Sequence, residues 1–159
     1  TQFVESATVV PAGTTFSGLQ PNTKYYLTVY AAGDQTNTFN SPETAAISFT
    51  TPKYVTTISV AFGTGTSSSK KNTATKLTAT YTSAGPANIG NITFYFNGKA
   101  INHCNNILSS GGSLDCSWKP LTHGQTYVSA NYIPSDTNTY ANSTSSLFAV
   151  TTGKRTTSR

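Results

Sequence analysis

Short runs of alternating apolar and polar residues recur along the chain, and clusters of Gly, Pro, Asn and Ser separate them. Alternation with a period of two places successive side chains on opposite faces of a β-strand. The runs follow one another at roughly 8–14-residue spacing, which is typical of proteins built from short strands in two packed sheets. No stretch shows the apolar spacing that indicates a long helix. The pattern predicts an all-β fold.

The first fifty residues contain a predicted turn and three predicted strands. The turn covers residues 9–13, and the strands cover residues 14–19, 24–31 and 45–51. The strand at 24–31 alternates most clearly, so its apolar face is expected to contact a core. One face of this strand carries Leu27, Val29 and Ala31, and the other carries Tyr26, Thr28 and Tyr30.

Residues 58–132 contain five predicted sets of inward-facing side chains, and residues 147–151 form a predicted closing strand. The sets are separated by a polar loop at 63–72, a turn at 85–88 and the tight-turn pair Asn97-Gly98. Trp118 is the expected core anchor. The five sets are Ile58, Val60 and Phe62; Leu77, Ala79 and Tyr81; Ile92, Phe94 and Phe96; Leu114, Cys116 and Trp118; and Val128, Ala130 and Tyr132.

An internal repeat divides the chain. Asn37-Thr38-Phe39 recurs as Asn138-Thr139-Tyr140, and Thr50-Thr51 recurs as Thr151-Thr152, each 101 positions later. A repeat of this length indicates two copies of one domain type in tandem. The second copy begins near Thr56, so a first copy of equal length would begin roughly 45 residues before Thr1.

The first copy is therefore predicted to be incomplete. Either the chain is an excerpt of a longer polypeptide, or a neighbouring chain supplies the remaining strands by adding them to an exposed sheet edge. The predicted domains are residues 1–52 and residues 56–152, joined by a short linker at 53–55. Residues 153–159 form a basic tail or the start of a next linker.

The first domain resembles fibronectin type III domains. Leu19, Pro21, Thr23 and Tyr25 match the spacing of the tyrosine corner of that family, and Thr50-Thr51-Pro52 fits its end. The resemblance implies that the Tyr25 hydroxyl forms a hydrogen bond with the backbone near the loop. It also implies that residues 1–52 form the later strands of such a domain, without the first three.

The second domain resembles the bacterial Ig-like repeats of large surface and secreted proteins over residues 56–151. The resemblance rests on residues 90–98, on residues 114–121 with His123 in a turn, and on residues 130–140. It implies an Ig-like sandwich in which His123 is structural. The chain departs from the family at Pro134-Ser135 and in its two cysteines. Together the two resemblances imply tandem fibronectin III-like and Ig-like β-sandwiches, the first incomplete.

The cysteines bear on the cellular compartment. Cys104 and Cys116 lie symmetrically about Ser110, so a hairpin turning at residues 109–112 would place them opposite each other on two antiparallel strands. That spacing suits a disulfide, and a disulfide indicates an extracellular, cell-surface or secreted protein. The alternative is two buried thiols in a reducing cytosol.

Composition and charge exclude several classes of function. Charged residues make up only 9% of the chain, and three of the ten basic residues lie in the last six positions. The sequence has no basic stripe with interleaved aromatic residues, so we expect no nucleic-acid binding. No apolar run approaches the roughly 20 residues that a membrane span needs.

The sequence indicates neither an enzyme nor a cofactor or metal protein. Asp34 and Asp136 occupy equivalent places in different copies, so they are expected to cap turns rather than to form a catalytic pair. His103 beside Cys104 cannot by itself complete a zinc site. Lys76 is a candidate for an isopeptide crosslink, but this chemistry needs a buried acid, and Asp115 is expected to point outward.

Five residues are candidates for surface contacts or modification. Tyr26, Tyr30 and Tyr127 are expected to be exposed, where they could stack on sugar rings or on a neighbouring protomer. The alternative is that they are ordinary strand residues that cover the sheet. Asn91 and Asn142 match the N-glycosylation pattern.

These observations predict a structural segment of an extracellular fibre, stalk or adhesin. Its partners would be neighbouring repeats or protomers of the same protein, with surface glycans as further candidates. Assembly by β-strand addition would make it a filament subunit. The alternative is a carbohydrate-binding accessory module of a secreted enzyme or a phage tail protein.

Overall fold

The computed structural model describes residues 13–33, 36, 39–62, 68–70, 73–86 and 89–153. Several predictions lie partly or wholly outside the described residues: 9–12 of the predicted turn at 9–13, the predicted cap at Asp34, most of the predicted loop at 63–72, 87–88 of the predicted turn at 85–88, and 154–159 of the predicted tail at 153–159. The chain separates into two compact units, Thr1–Lys53 (unit 1) and Tyr54–Arg159 (unit 2). The described structure is all-β, as the alternation predicts.

Unit 1 contains a pair of antiparallel strands, β1 (Lys24–Leu27) and β2 (Ile47–Thr50). The predicted strand at 14–19 is wrong, since these residues form no strand. Gly18 has a φ of 74°, a left-handed conformation that interrupts an extended chain. β1 is also shorter than predicted, because side-chain hydroxyls replace the regular backbone pairing beyond Leu27.

Unit 2 contains the remaining elements. They are β3 (Thr56–Phe62), β4 (Ser68–Lys70), β5 (Thr75–Ser83), β6 (Gly90–Phe96), β7 (Lys99–Ala100), a 3-10 turn (Asn102–Cys104), β8 (Ile107–Ser109), β9 (Ser113–Trp118), β10 (Gly124–Pro134), β11 (Ser143–Thr144) and β12 (Phe148–Gly153).

Two sheets make up unit 2. The larger has the order β4-β12-β10-β6-β7, with β8 also paired to β6 and β11 to β10; the smaller has the order β3-β5-β9. Neighbouring strands are antiparallel except β4 and β12, which are parallel. Asn97 and Gly98, both at positive φ, form the predicted tight turn between β6 and β7.

The inward side chains of both sheets form one core. Most of the predicted sets are buried in it, and Trp118 packs there with its ring centroid 5.0 Å from that of Phe96. Leu147 is exposed, because it precedes β12, whose inward alternation begins at Phe148. Burial of such alternating faces is the main stabilising contribution to a sheet pair.

Tyr54 connects the first residues of unit 2 to the rest of that unit by hydrogen bonds and ring packing. Its N–H donates to the Thr139 carbonyl at 2.9 Å, and its carbonyl accepts the N–H of Ala141 at 3.0 Å. Its ring packs on Tyr140, with centroids 5.5 Å apart. The middle residue of the predicted linker is therefore part of unit 2.

A stacked pair of tyrosines lies in the core, with Tyr81 and Tyr132 ring centroids 4.2 Å apart. The Tyr81 hydroxyl donates to the Ser109 carbonyl at 3.0 Å, whereas the buried Tyr132 hydroxyl has no hydrogen-bond partner among the described residues. Burial raises the pKa of Tyr132 to about 12, and the neighbouring Tyr81 and Tyr140 contribute to the shift. The fold thus favours the neutral phenol.

We expect Tyr132 to make unit 2 sensitive to alkali. Its folded pKa lies above the unfolded value of 10.0, so its stabilising effect is complete below pH 10 and is lost as the pH rises towards 12. Full loss would lower the free energy of unfolding by about 3 kcal/mol. Urea titrations at pH 9 to 12 should show a steeper decline for the native chain than for Tyr132→Phe. The exposed Tyr127→Phe is the control, and it should decline like the native chain.

Candidate functional site

The Tyr25 side chain anchors the loop that leads into β1. The Gln20 N–H donates to the Tyr25 hydroxyl at 2.8 Å, and the buried ring stacks on Phe49 with centroids 5.8 Å apart. This confirms the hydrogen bond predicted for Tyr25. The Thr23 N–H also donates to Thr51 Oγ1 at 3.0 Å, which ties the loop to the end of β2.

The pairing of β1 with β2 is repeated in unit 2 between β10 and β12. Each pair of residues in β1 and β2 has a counterpart at an offset of 101 positions. For example, Tyr25 pairs with Phe49, and Thr126 pairs with Val150. The repeat seen in the sequence is thus also a repeat of strand register.

A side-chain hydrogen bond is repeated at the same offset. The Val29 N–H donates to Thr44 Oγ1 at 3.2 Å, and the Thr44 N–H donates back to the Val29 carbonyl at 2.9 Å. In unit 2, Ala130 and Ser145 form the same two bonds, both at 2.9 Å. The sequence analysis missed Thr44 and Ser145, although extending the repeat by comparing hydroxyl residues would have found them.

The counterparts differ sharply in burial. Ala130 and Val150 are 0% exposed and Tyr140 is 8% exposed, because the other sheet and neighbouring loops cover them. The residues 101 positions earlier are Val29, Phe49 and Phe39, which are 51%, 42% and 93% exposed. The face of unit 1 that corresponds to a core face in unit 2 is therefore open. We call it the open face, and it consists of Leu27, Val29, Ala31, Phe39, Ile47 and Phe49.

One edge of unit 1 is also open: among the described strands β1 pairs only with β2, and residues 28–31, which continue the chain after β1, are bonded on one side. We call the unpaired side of residues 24–31 the open edge of β1. Val29 and Ala31 direct their N–H and carbonyl groups towards residues 41–44. Because these directions alternate along a strand, Thr28 and Tyr30 direct theirs to the opposite edge. No described residue bonds to them there. In unit 2 the corresponding edge of β10 is paired with β6.

The three predicted tyrosines are exposed, by 45% for Tyr26, 44% for Tyr30 and 43% for Tyr127. Tyr26 and Tyr30 belong to the same chain segment and alternate to the same side, whereas Tyr127 is the unit 2 counterpart of Tyr26. The Lys24 ammonium lies 5.2 Å from the centre of the Tyr26 ring, a cation–π distance. A role in binding stays a prediction for all three.

The disulfide between Cys104 and Cys116 is formed, with a Cα–Cα distance of 5.9 Å. The predicted hairpin is wrong, however. Cys104 lies in the 3-10 turn, β8 pairs with β6 of the larger sheet, and β9 pairs with β5 of the smaller sheet. The disulfide consequently joins the two sheets of unit 2 instead of bridging two strands of one hairpin.

His103 lies against this disulfide. Its Nε2 is hydrogen-bonded to the Ser117 carbonyl, and one of its ring nitrogens and the two cysteine sulfurs lie within 4.8 Å of one another. Such a cluster of one His and two Cys resembles part of a zinc site. In the oxidised state the two sulfurs are bonded to each other, so they do not offer the thiolates that bind zinc.

An open groove of about 640 Å³ lies beside the disulfide. Its wall is stiffened by the disulfide, because His103 and Ser117 are the direct neighbours of the two cysteines. None of the described residues that line the groove is acidic. They are Phe96, Lys99, Ala100, Ile101, Asn102, His103, Ser117, Trp118, Lys119 and Leu121.

No model of a known protein family matches this chain, and no curated protein matches it significantly. No helix among the described residues is both long and apolar enough to span a membrane. The resemblance to fibronectin type III and Ig-like domains therefore stays a prediction from the sequence.

The structure shows what two acidic residues, Asp136 and Asp115, contact. Asp136 Oδ1 accepts the N–H groups of Asn138 and Thr139, both at 3.1 Å, so it caps the turn as predicted. Asp115 points outward and lies 3.0 Å from Lys76 Nζ. Hydrogen bonds from Thr78 and then Lys76 hold the pKa of Asp115 below its usual value. Lys76 thus pairs with an exposed acid, which is not the buried environment that an isopeptide crosslink needs.

The two candidate glycosylation residues differ in accessibility. Asn142 is exposed in the segment before β11, whereas Asn91 is half-buried within β6 between the flanking strands β8 and β10. His123 is exposed in the turn before β10. Of the two asparagines, Asn142 is the better placed for modification.

Proposed function

We propose that the chain is a structural segment of an extracellular fibre, stalk or adhesin. It would consist of tandem β-sandwich repeats, the first like fibronectin type III and the second like bacterial Ig-like domains. The observation that carries this proposal is the repeat of strand register and of the Thr44 and Ser145 bonds at one offset. A repeated domain fits a spacer, because each copy adds length without new chemistry.

The disulfide supports an extracellular location, since such bonds persist mainly outside the reducing cytosol. It also suits a segment that bears load, because it joins the two sheets of unit 2 by a covalent bond.

Single-molecule stretching should reveal the disulfide as a length difference. Cys104 and Cys116 are 12 residues apart, and an extended chain spans at most about 3.3–3.6 Å per residue. The unfolded length of unit 2 should therefore be about 40 Å longer under reducing conditions. A Cys104→Ala/Cys116→Ala variant should show the longer length without reductant. Equal lengths in all samples would contradict a closed disulfide in the stretched protein.

The native material tests the proposal as a whole. We expect immunogold labelling to place the protein on the cell surface or in secreted fibres, and alkylation without reductant to leave both cysteines unmodified. Sequencing of the mature N-terminal peptide would show whether fibronectin-like strands precede Thr1 in the same polypeptide. A cytosolic protein with alkylated cysteines would contradict the proposal.

A second candidate is a carbohydrate-binding module of a secreted enzyme or a phage tail protein. Two observations favour it: the exposed Tyr26 and Tyr30 on one face, and the groove with Lys99 and Lys119 in its wall. If it is right, a glycan array should show binding that Tyr26→Ala or Tyr30→Ala reduces by up to about tenfold, because an aromatic ring contact contributes about 0.5–1.5 kcal/mol beyond the area that it buries. Indifference to all glycans would favour the structural role.

A further inference from the structure

We propose that the open edge of β1 in unit 1 binds an antiparallel β-strand with the chemistry and register that β6 has on β10. This inference rests on the proposed function, because it names the kind of strand that a neighbouring repeat or protomer would supply. The occupant is a peptide strand with large apolar side chains at alternate positions and uncharged polar ones between them.

The backbone groups for such a strand are already aligned. Since Val29 and Ala31 bond to Thr44 and Ser41, alternation places the N–H and carbonyl groups of Thr28 and Tyr30 on the opposite edge, where no described residue bonds to them. Their counterparts in unit 2 are Ser129 and Asn131, which are opposite Tyr95 and Thr93 of β6. A strand added in the same register would therefore extend the pairing of β1 without moving β2.

The apolar positions also correspond. In unit 2, Phe94 of β6 is opposite Ala130, and both are buried. The counterpart of Ala130 is Val29, which is exposed. An apolar residue of the added strand opposite Val29 would cover part of the open face, and this burial would drive binding together with the backbone bonds.

One difference between the two units predicts how the sequence of the bound strand should differ from that of β6. Ala31 occupies the place of Tyr132, a large and fully buried side chain opposite Ile92. Alanine leaves the room that the tyrosine ring fills in unit 2. An aromatic residue opposite Ala31 should therefore bind better than the isoleucine that β6 has at this position.

The test uses a fluorescent synthetic peptide with the sequence of residues 89–98, extended by lysines for solubility, and the whole 159-residue chain. We expect saturable binding that improves when the Ile92 position is Phe. N-methylation at the Thr93 position should weaken binding at least tenfold, because this amide faces β1. N-methylation at the Phe94 position is the matched control and should change the affinity less than threefold, since the Phe94 carbonyl faces Ile101 on the other side of β6.

A disulfide crosslink between the chain and the peptide would identify where the peptide binds and in which register. Val29→Cys should form a disulfide with a peptide that carries Cys at the Phe94 position, because such directly opposite, non-hydrogen-bonded pairs lie closest together. Thr28→Cys is the control and should react much more slowly, since its side chain points to the other face. Both cysteines of the native chain are already bonded, so the new thiol is the reactive one.

Three results would overturn the inference: no saturable binding, equal effects of the two N-methyl groups, or a crosslink at Thr28 as fast as at Val29. Self-association of the chain that Val29→Asp abolishes and that an excess of the peptide leaves unchanged would also overturn it, because the open face of a second copy would then be the occupant. If the peptide does not bind, but immunogold labelling places the protein at the cell surface and the disulfide is intact, only the proposed binding of a strand to the open edge of β1 is rejected. The structural role would then stand without it.

Discussion

Replacing Gly90 by alanine is expected to destabilise unit 2 by about 3 kcal/mol, and this should be among the most damaging single-methyl changes in the chain. A Cβ at this position would lie 2.5 Å from the Ile133 carbonyl oxygen and 2.5 Å from the Tyr132 ring. Carbon atoms in folded proteins do not approach so closely. Gly90 pairs with Pro134, so relief requires β6 and β10 to separate where they meet.

The control for this change is Gly111→Ala. A Cβ on Gly111 would have no neighbour within 4 Å, and its φ is not in the left-handed region. We expect its free energy of unfolding to stay within about 0.5 kcal/mol of that of the native chain. Urea unfolding followed by the fluorescence of Trp118 measures both variants. Equal stability of the two would show that β6 and β10 are not packed as closely as described.

The second large effect is expected from opening the disulfide. Removing it with Cys104→Ala/Cys116→Ala should lower the free energy of unfolding by about 3 kcal/mol, because the unfolded chain regains the freedom of a closed loop. The loop spans 12 residues. Since the bond joins the two sheets, its loss should also loosen the packing of Trp118, which is two residues after Cys116.

Reduction of the native chain separates the crosslink from the side-chain change. Dithiothreitol should shift the urea midpoint of the native chain to nearly that of the double variant and should leave the variant unaffected. A much smaller shift on reduction than on substitution would mean that lost packing of two buried sulfurs, and not the crosslink, accounts for the effect.

The strands of unit 2 were predictable because burial imposes a period of two on their side chains. In β3 and β10, each inward position that alternation predicts is buried. The same alternation fails for Val29 in unit 1, which is apolar but exposed. Alternation reports which face can be buried; whether another layer covers that face depends on residues far away in the sequence.

The connection around the cysteines was not predictable from its turn residues. Residues 109–112 indicate a reversal of the chain, and the chain does reverse there. A turn signal does not specify which sheet the next strand joins, and here β8 and β9 join different sheets. The predicted pairing of Cys104 with Cys116 is confirmed although the predicted hairpin is wrong. A hairpin and the observed connection both bring these two residues together.

The candidate site was partly visible in the sequence. The family resemblance that Leu19, Pro21 and Tyr25 carry implied the hydrogen bond of the Tyr25 hydroxyl. The backbone direction of Thr28 and Tyr30 was not predictable, because it depends on the hydroxyl bonds of Ser41 and Thr44 to their neighbours.

The attachment of Tyr54 has a practical consequence for protein chemistry. Trypsin cleaves after lysine, and Lys53 is exposed directly before Tyr54. A cut there would release a fragment that begins with the residue whose backbone holds Thr139 and Ala141 and whose ring packs on Tyr140. Limited digestion should thus yield unit 2 with its first contacts intact, whereas a recombinant version begun at Thr56 would lack them.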